Sequence, residues 1–182
     1  IKTLTASVLI CLLNFACTSD FKEVNEDPNR IAQISPGTLL NPIIYGLATH
    51  NADRSASITF NLMQVSLPFP SVSGGIHRYD LSDNIGSSSW STYYKWINNI
   101  KEMKEAAITA EDRNYEAIAL TLNAWAYSNL TDLFGPVPMT EAVRGDEGLL
   151  YPAFDSQQFV YQTILTDLER ANTLYNTAKP MI

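Results

Sequence analysis

Residues 112–138, DRNYEAIALTLNAWAYSNLTDLFGPVP, decide the fold class. Tyr115, Ile118, Ala119, Leu122, Trp125, Ala126, Leu130 and Leu133 recur at intervals of three and four, the period of a helix with an apolar side. Asp112 or Asn114 offers an acceptor to the unpaired amides of the first turn. Gly135-Pro136 ends the helix, because glycine accepts a positive φ and proline cannot continue the ladder. Pro136-Val137-Pro138 is then a stiff exit. Ala117, Ala119, Ala124 and Ala126 keep the helix slim enough for close neighbours.

Working outward, the same period appears on both sides. Upstream, Trp90, Tyr94, Ile97, Ile100, Met103 and Ala107 form one stripe, while Lys95, Asn98, Lys101, Glu102 and Glu105 take the other side. Downstream, Asp155 with Gln158 three residues on resembles a capping box, and Phe159, Val160, Ile164, Leu165, Leu168, Ala171 and Tyr175 form the apolar face of a last helix. Nearer the start, Pro36 opens a helix carrying Leu39, Leu40, Ile43, Ile44 and Leu47, which is expected to end at His50-Asn51. A separate helix is expected over residues 56–65, stopping before Pro68 and Pro70. Residues 68–89 are rich in proline, glycine and serine and form a long loop. Strand-like alternation is scarce throughout. The fold class is mainly α, with stacked helical hairpins of tetratricopeptide-like type, although no strict repeat of 34 residues is present.

Composition excludes several functions. The chain has 182 residues, 46% hydrophobic and 17% charged, with 12 Lys and Arg against 19 Asp and Glu, a net charge of -7. That is a globular composition, not a disordered one. With no basic run, it lacks what is needed to neutralise phosphates, so nucleic acid is not a partner. Two cysteines, Cys11 and Cys17, cannot supply a disulfide framework or a four-thiolate zinc site.

Those cysteines belong to an address. Lys2, the apolar run from Leu4 to Leu13, and Ala16 before Cys17 make a secretory signal too short to span a bilayer. Cleavage after Ala16 leaves Cys17 as the first residue, where its thiol can take a lipid. The bland alternatives are an ordinary cleaved signal or a buried N-terminal helix. Removing residues 1–16 takes one Lys and no acid, leaving 11 basic and 19 acidic residues and a net charge of -8. Attachment to a membrane therefore depends on acyl chains, each buried CH₂ contributing about 0.8 kcal/mol, and not on charge. Residues 17–36 read as a lipidated tether, with a tight turn at Asn25-Glu26-Asp27-Pro28-Asn29.

Catalytic chemistry finds no foothold. His50 and His77 lie in different segments without metal-ligand spacing, and no HExxH, GxSxG or phosphate loop occurs. Glu102/Glu105 and Glu111/Asp112 fit the solvated side or first turn of a helix better than a glycosidase pair. The expectation is a protein that is not an enzyme and holds neither cofactor nor metal. The aromatics are the remaining candidates for binding. Tyr93 and Trp96 share a helix face distinct from that of Trp90 and Tyr94. That face either is open to a sugar ring or meets a second helix.

Four stretches in order resemble the SusD/RagB family of Bacteroidota outer-membrane lipoproteins. They are Cys17 with Asp20-Phe21 and Asn25-Glu26-Asp27-Pro28-Asn29; the W-x-x-x-Y-x-x-I pattern from Trp90; Leu130-Thr131-Asp132-Leu133-Phe134-Gly135-Pro136-Val137-Pro138; and Tyr151-Pro152 with Phe154-Asp155, Gln158, Tyr161 and Ile164. The resemblance implies a nutrient-binding lipoprotein without catalysis that caps a SusC-like TonB-dependent transporter at the outer membrane, facing the cell exterior. Its ligands would be glycans, or peptides as in some members. It implies lipid attachment at Cys17 and leaves Tyr93 and Trp96 as the ligand-contact candidates. The layout expected is a lipoprotein signal peptide at 1–16, a tether at 17–36 and the N-terminal part of a SusD-like helical domain at 37–182. From another class, a helical scaffold lipoprotein that binds a protein partner and no small ligand is the alternative.

Overall fold

A computed structural model describes residues 35–179; Cys17, the signal at 1–16 and the turn at 25–29 lie outside the described residues. Four long helices build this part: α1 Pro36–Arg54, α2 Ser87–Thr109, α3 Arg113–Phe134 and α4 Gln157–Leu174. Consecutive helices pack side by side, α1 on α2, α2 on α3 and α3 on α4, as hairpins stack. Among the described residues the one extended pairing is an isolated antiparallel bridge between Val137 and Asp155.

The central helix is α3, and its small residues explain why it can be. Ala117, Ala119, Ala124 and Ala126 are buried with Leu120, Tyr127 and Leu130, so neighbours close on it from two sides. Its first turn is capped by Asp112, whose carboxylate accepts from the amides of Asn114 at 3.1 Å and Tyr115 at 3.4 Å. At its other end Gly135 has φ 74° and ψ -122°, and the Thr131 hydroxyl donates to the Gly135 carbonyl at 2.7 Å. Trp125 and Leu133, expected in the core stripe, are instead 39% and 42% exposed.

The stretch read as two helices at the start is one continuous run. Past His50-Asn51, α1 continues through a π-helical turn, Ser55–Thr59, into a last α-turn, Phe60–Leu62. Side chains sustain the change of pitch. Ser55 and Ser57 hydroxyls donate back to the Asn51 and Asp53 carbonyls, and the Asn61 amide donates to the Ser57 carbonyl at 2.8 Å. The long loop follows, largely exposed except at a 3₁₀ turn, Ile76–Arg78, where His77 is buried and the Gln64 side chain donates to its carbonyl.

The start of α4 also departs from expectation. Ser156, not Asp155, caps it, accepting from the Phe159 amide at 3.3 Å. Asp155 faces the other way: its carboxylate accepts from the Met139 and Thr140 amides at 2.9 and 2.8 Å and from the Thr140 hydroxyl at 2.7 Å. Only Val160, Ile164 and Ala171 of α4 are buried, on a stripe against α3. Phe159, Leu165, Leu168 and Tyr175 are exposed, because α4 has a packing partner on one side only among the described residues. At its far end Asn114 accepts from the Asn176 amide and donates to the Asn176 and Lys179 carbonyls, which fixes the path of residues 176–179.

Candidate functional site

Two surfaces carry enough chemistry to consider, and both are built on α2. Its first turns are gripped by α1 on one side and α3 on the other, so two different aromatic faces are in use at once.

The face toward α1 holds Tyr93 and Trp96. Tyr93 is fully buried, and its hydroxyl donates to the Asn51 side-chain oxygen at 2.7 Å. His50 meets it edge-on, with ring centroids 5.2 Å apart, and the His50 Nε2 stands 3.1 Å from the Ser89 hydroxyl. Burial pushes the Tyr93 phenol above its ordinary range. Burial, helped by the Arg54 charge, lowers His50 and keeps it neutral. Trp96 is half-buried and lies directly on Gly46 of α1, where a Cβ would sit 2.0 Å from its Cζ2. Lys95 places its ammonium 5.0 Å from the Trp96 ring centroid. A second helix is thus what this face meets. Tyr93 has no surface to offer a ligand, and the indole of Trp96 is shared between α1 and Lys95.

The face toward α3 holds the larger assembly. Trp90 packs 4.9 Å from Tyr94 and edge-on to Phe134 at 5.2 Å, and stacks on Phe154 at 6.0 Å with the planes 26° apart. Tyr94 meets Tyr127 edge-on and donates to the Pro138 carbonyl at 2.7 Å. Burial raises both phenols far above their ordinary value, so they stay protonated, and Tyr94 keeps the proton it donates to Pro138. Phe154 arrives from the segment between Pro138 and α4, which Asp155 pins. Burial alone would raise the Asp155 carboxyl, but the hydroxyl and amide donors of Thr140 and the amide of Met139 outweigh it and hold it below the usual range. The Ala153 amide donates to Glu141 at 2.8 Å, so the residues on both sides of Phe154 are tied down.

Sequence patterning missed Tyr151 and Phe154 because they lie in a turn-rich segment without periodicity. The available signal was two aromatics around Pro152, immediately before Asp155. It also placed Trp90 and Tyr94 inside the core stripe, whereas they sit half-buried at its edge.

Near the other end of α2, a cleft of roughly 430 Å³ opens between Asn98, Lys101, Glu102 and Glu105 and the loop at Val143 to Asp146. The Lys101 ammonium donates to the Val143 carbonyl at 3.0 Å and stands 3.9 Å from Asp146. No aromatic ring lines it. Among the described residues no group of three His, Cys, Asp or Glu is arranged to hold a metal, and no helix is long and apolar enough to cross a membrane.

Residues 28–182 match the SusD-like family, described as starch-binding and associating with the outer membrane. The crystal structure of a SusD homolog from Bacteroides fragilis NCTC 9343 aligns at 29% identity with a TM-score of 0.42, over 47% of this chain and 18% of that one. The chain therefore spans less than a fifth of that relative's length. No curated protein matches.

Proposed function

The chain belongs to the SusD-like family, and on that premise we propose that it is a nutrient-binding lipoprotein of the outer membrane that delivers its ligand to a SusC-like TonB-dependent transporter. The observation that carries this reading is the family match across residues 28–182, which covers every described helix. In this reading residues 1–16 are the signal, Cys17 takes the lipid, residues 17–36 are the tether and the helices from residue 37 onward belong to the SusD-like helical domain, facing the cell exterior. The ligand is a glycan or oligosaccharide, with peptides the second class, and the protein binds it without chemistry, without cofactor and without metal. The acidic balance supports a partner other than nucleic acid.

Three measurements test it. Metabolic labelling with a clickable fatty acid should mark the wild type and not Cys17→Ala; equal labelling of both removes the anchor. Glycan and peptide arrays probed with the protein should show binding to an oligomeric nutrient. Affinity purification from the native membrane should recover a large TonB-dependent barrel. A second reading, a scaffold lipoprotein that binds only a protein partner, draws on the exposed Tyr161, Leu165 and Leu168 of α4. Blank arrays together with a recovered partner would favour it.

A further inference from the structure

Among the exposed aromatic rings of the described residues, Phe154 is the one stacked on another ring, and it is carried by an anchored segment. It is 63% exposed, yet one side is backed by Trp90, whose own ring is wedged between Tyr94 and Phe134. The chain that carries it cannot drift. Ala153 donates to Glu141, and Asp155 exchanges backbone bonds with Val137 at 3.1 Å in both directions while accepting three more from Met139 and Thr140. Three residues before it on the same segment, Tyr151 is 91% exposed and has its hydroxyl in solvent reach.

A large apolar ring left in water is unfavourable, and fixing it there by so many bonds pre-pays the ordering that a ligand would otherwise have to cover. What such a ring recognises is a flat, weakly polarised C–H surface, because its face is electron-rich and its edge is not. The C–H patch of a pyranose has that character and keeps its hydroxyls at the rim for water and for a phenol such as Tyr151. Charge narrows the class further. Two carboxylates belong to the same short stretch, Glu141 on the Ala153 amide and Asp155 next in sequence, in a chain of net charge -7, so a uronate or sulfate ester would approach like charge.

We propose that Phe154, backed by Trp90, and Tyr151 form a preformed stacking platform for the sugar rings of a neutral glycan. This rests on the glycan-binding reading above and assigns it a place and a charge class. It also moves the ligand contacts from the α1 side of α2, where Tyr93 is buried, to the side facing α3.

The test is affinity electrophoresis and calorimetry of the full chain against neutral polysaccharides (amylopectin, dextran, xylan) and anionic ones (polygalacturonate, heparin). The wild type should bind a neutral polymer, and Phe154→Ala and Tyr151→Ala should each weaken it about tenfold. Phe154→Trp should stay within about threefold of wild type. Because the ring is largely exposed, these variants should keep the wild-type circular dichroism and melting temperature. Phe154→Leu separates ring stacking from apolar contact and should bind as weakly as the alanine variant. Wild-type binding that survives unchanged in Phe154→Ala and Tyr151→Ala, or in Phe154→Leu, overturns the platform and leaves glycan binding standing. A preference for the anionic polymers overturns the charge class. A wild type that binds none of the polymers removes the glycan reading and the platform together.

Discussion

Substituting alanine for Gly46 adds one carbon at the seam between α1 and α2. An ideal Cβ there falls 2.0, 2.1 and 2.5 Å from Cζ2, Cε2 and Nε1 of Trp96, where ordinary contact begins at about 3.4 Å. The obstacle is the body of an indole and not the end of a flexible chain, so α1 and α2 must separate or Trp96 must leave its seat. Overpacking of this kind costs roughly 1–3 kcal/mol, and a displacement above 1 Å belongs at the upper end. Against it, alanine in a helix interior gains about 1 kcal/mol over glycine. The net expectation for Gly46→Ala is a loss of about 2 kcal/mol, or a fall in melting temperature of about 4–8 °C for a chain of this size. The same substitution in a Trp96→Leu background meets open space and should raise stability by roughly 0.5–1 kcal/mol. Thermal and urea unfolding of the four proteins of this double-mutant cycle give a coupling of about 2–3 kcal/mol. A Gly46→Ala protein that melts higher than wild type, or an effect of the same sign in both backgrounds, refutes the packing described for Trp96.

Asp155→Asn should lower stability by about 1–2 kcal/mol, the range for charge-assisted bonds discounted for solvent access, as read by urea unfolding. Since the folded carboxyl is held below its ordinary 3.8, the wild type keeps this contribution above that pH and loses it as pH falls through the lowered value; the asparagine variant should show a flatter acid limb. His50, lowered below 6.5 by burial, contributes stability that is present above pH 6.5 and lost as pH falls from there through the lowered value. The drop in melting temperature between pH 7.5 and 5.5 should therefore be smaller in His50→Gln, and an equal drop in both proteins would count against a neutral, half-buried His50.

Helix existence was legible because it is local. The helical period of residues 112–138, the aspartate cap and the glycine stop all act within a turn or two, and the helix, its cap and its stop appear where patterning places them, although Trp125 and Leu133 of the stripe are exposed. Helix ends were less so. His50-Asn51 looks like a terminus, yet Ser55, Ser57 and Asn61 bond back to the backbone and carry the run onward as a π-turn. Asp155 looks like a cap, but three donors from the 139–140 turn compete for the same carboxylate and win. Apolar periodicity likewise overcounts burial. Leu165 and Leu168 share the helical spacing of Val160 and Ile164 but stay 60% and 38% exposed.

The sequence by itself determined the helical class, the acidic charge and the motifs of the family, since period, caps and composition are properties of short stretches. Which aromatic faces water was decided only by the tertiary structure. Tyr93 and Phe154 are both aromatic on paper and 61 positions apart. The first is sealed because α1 closes over it, and the second is presented because Asp155 and Glu141 anchor its flanks to a turn beyond α3. That difference comes from long-range packing and hydrogen bonds between segments, which no local pattern encodes.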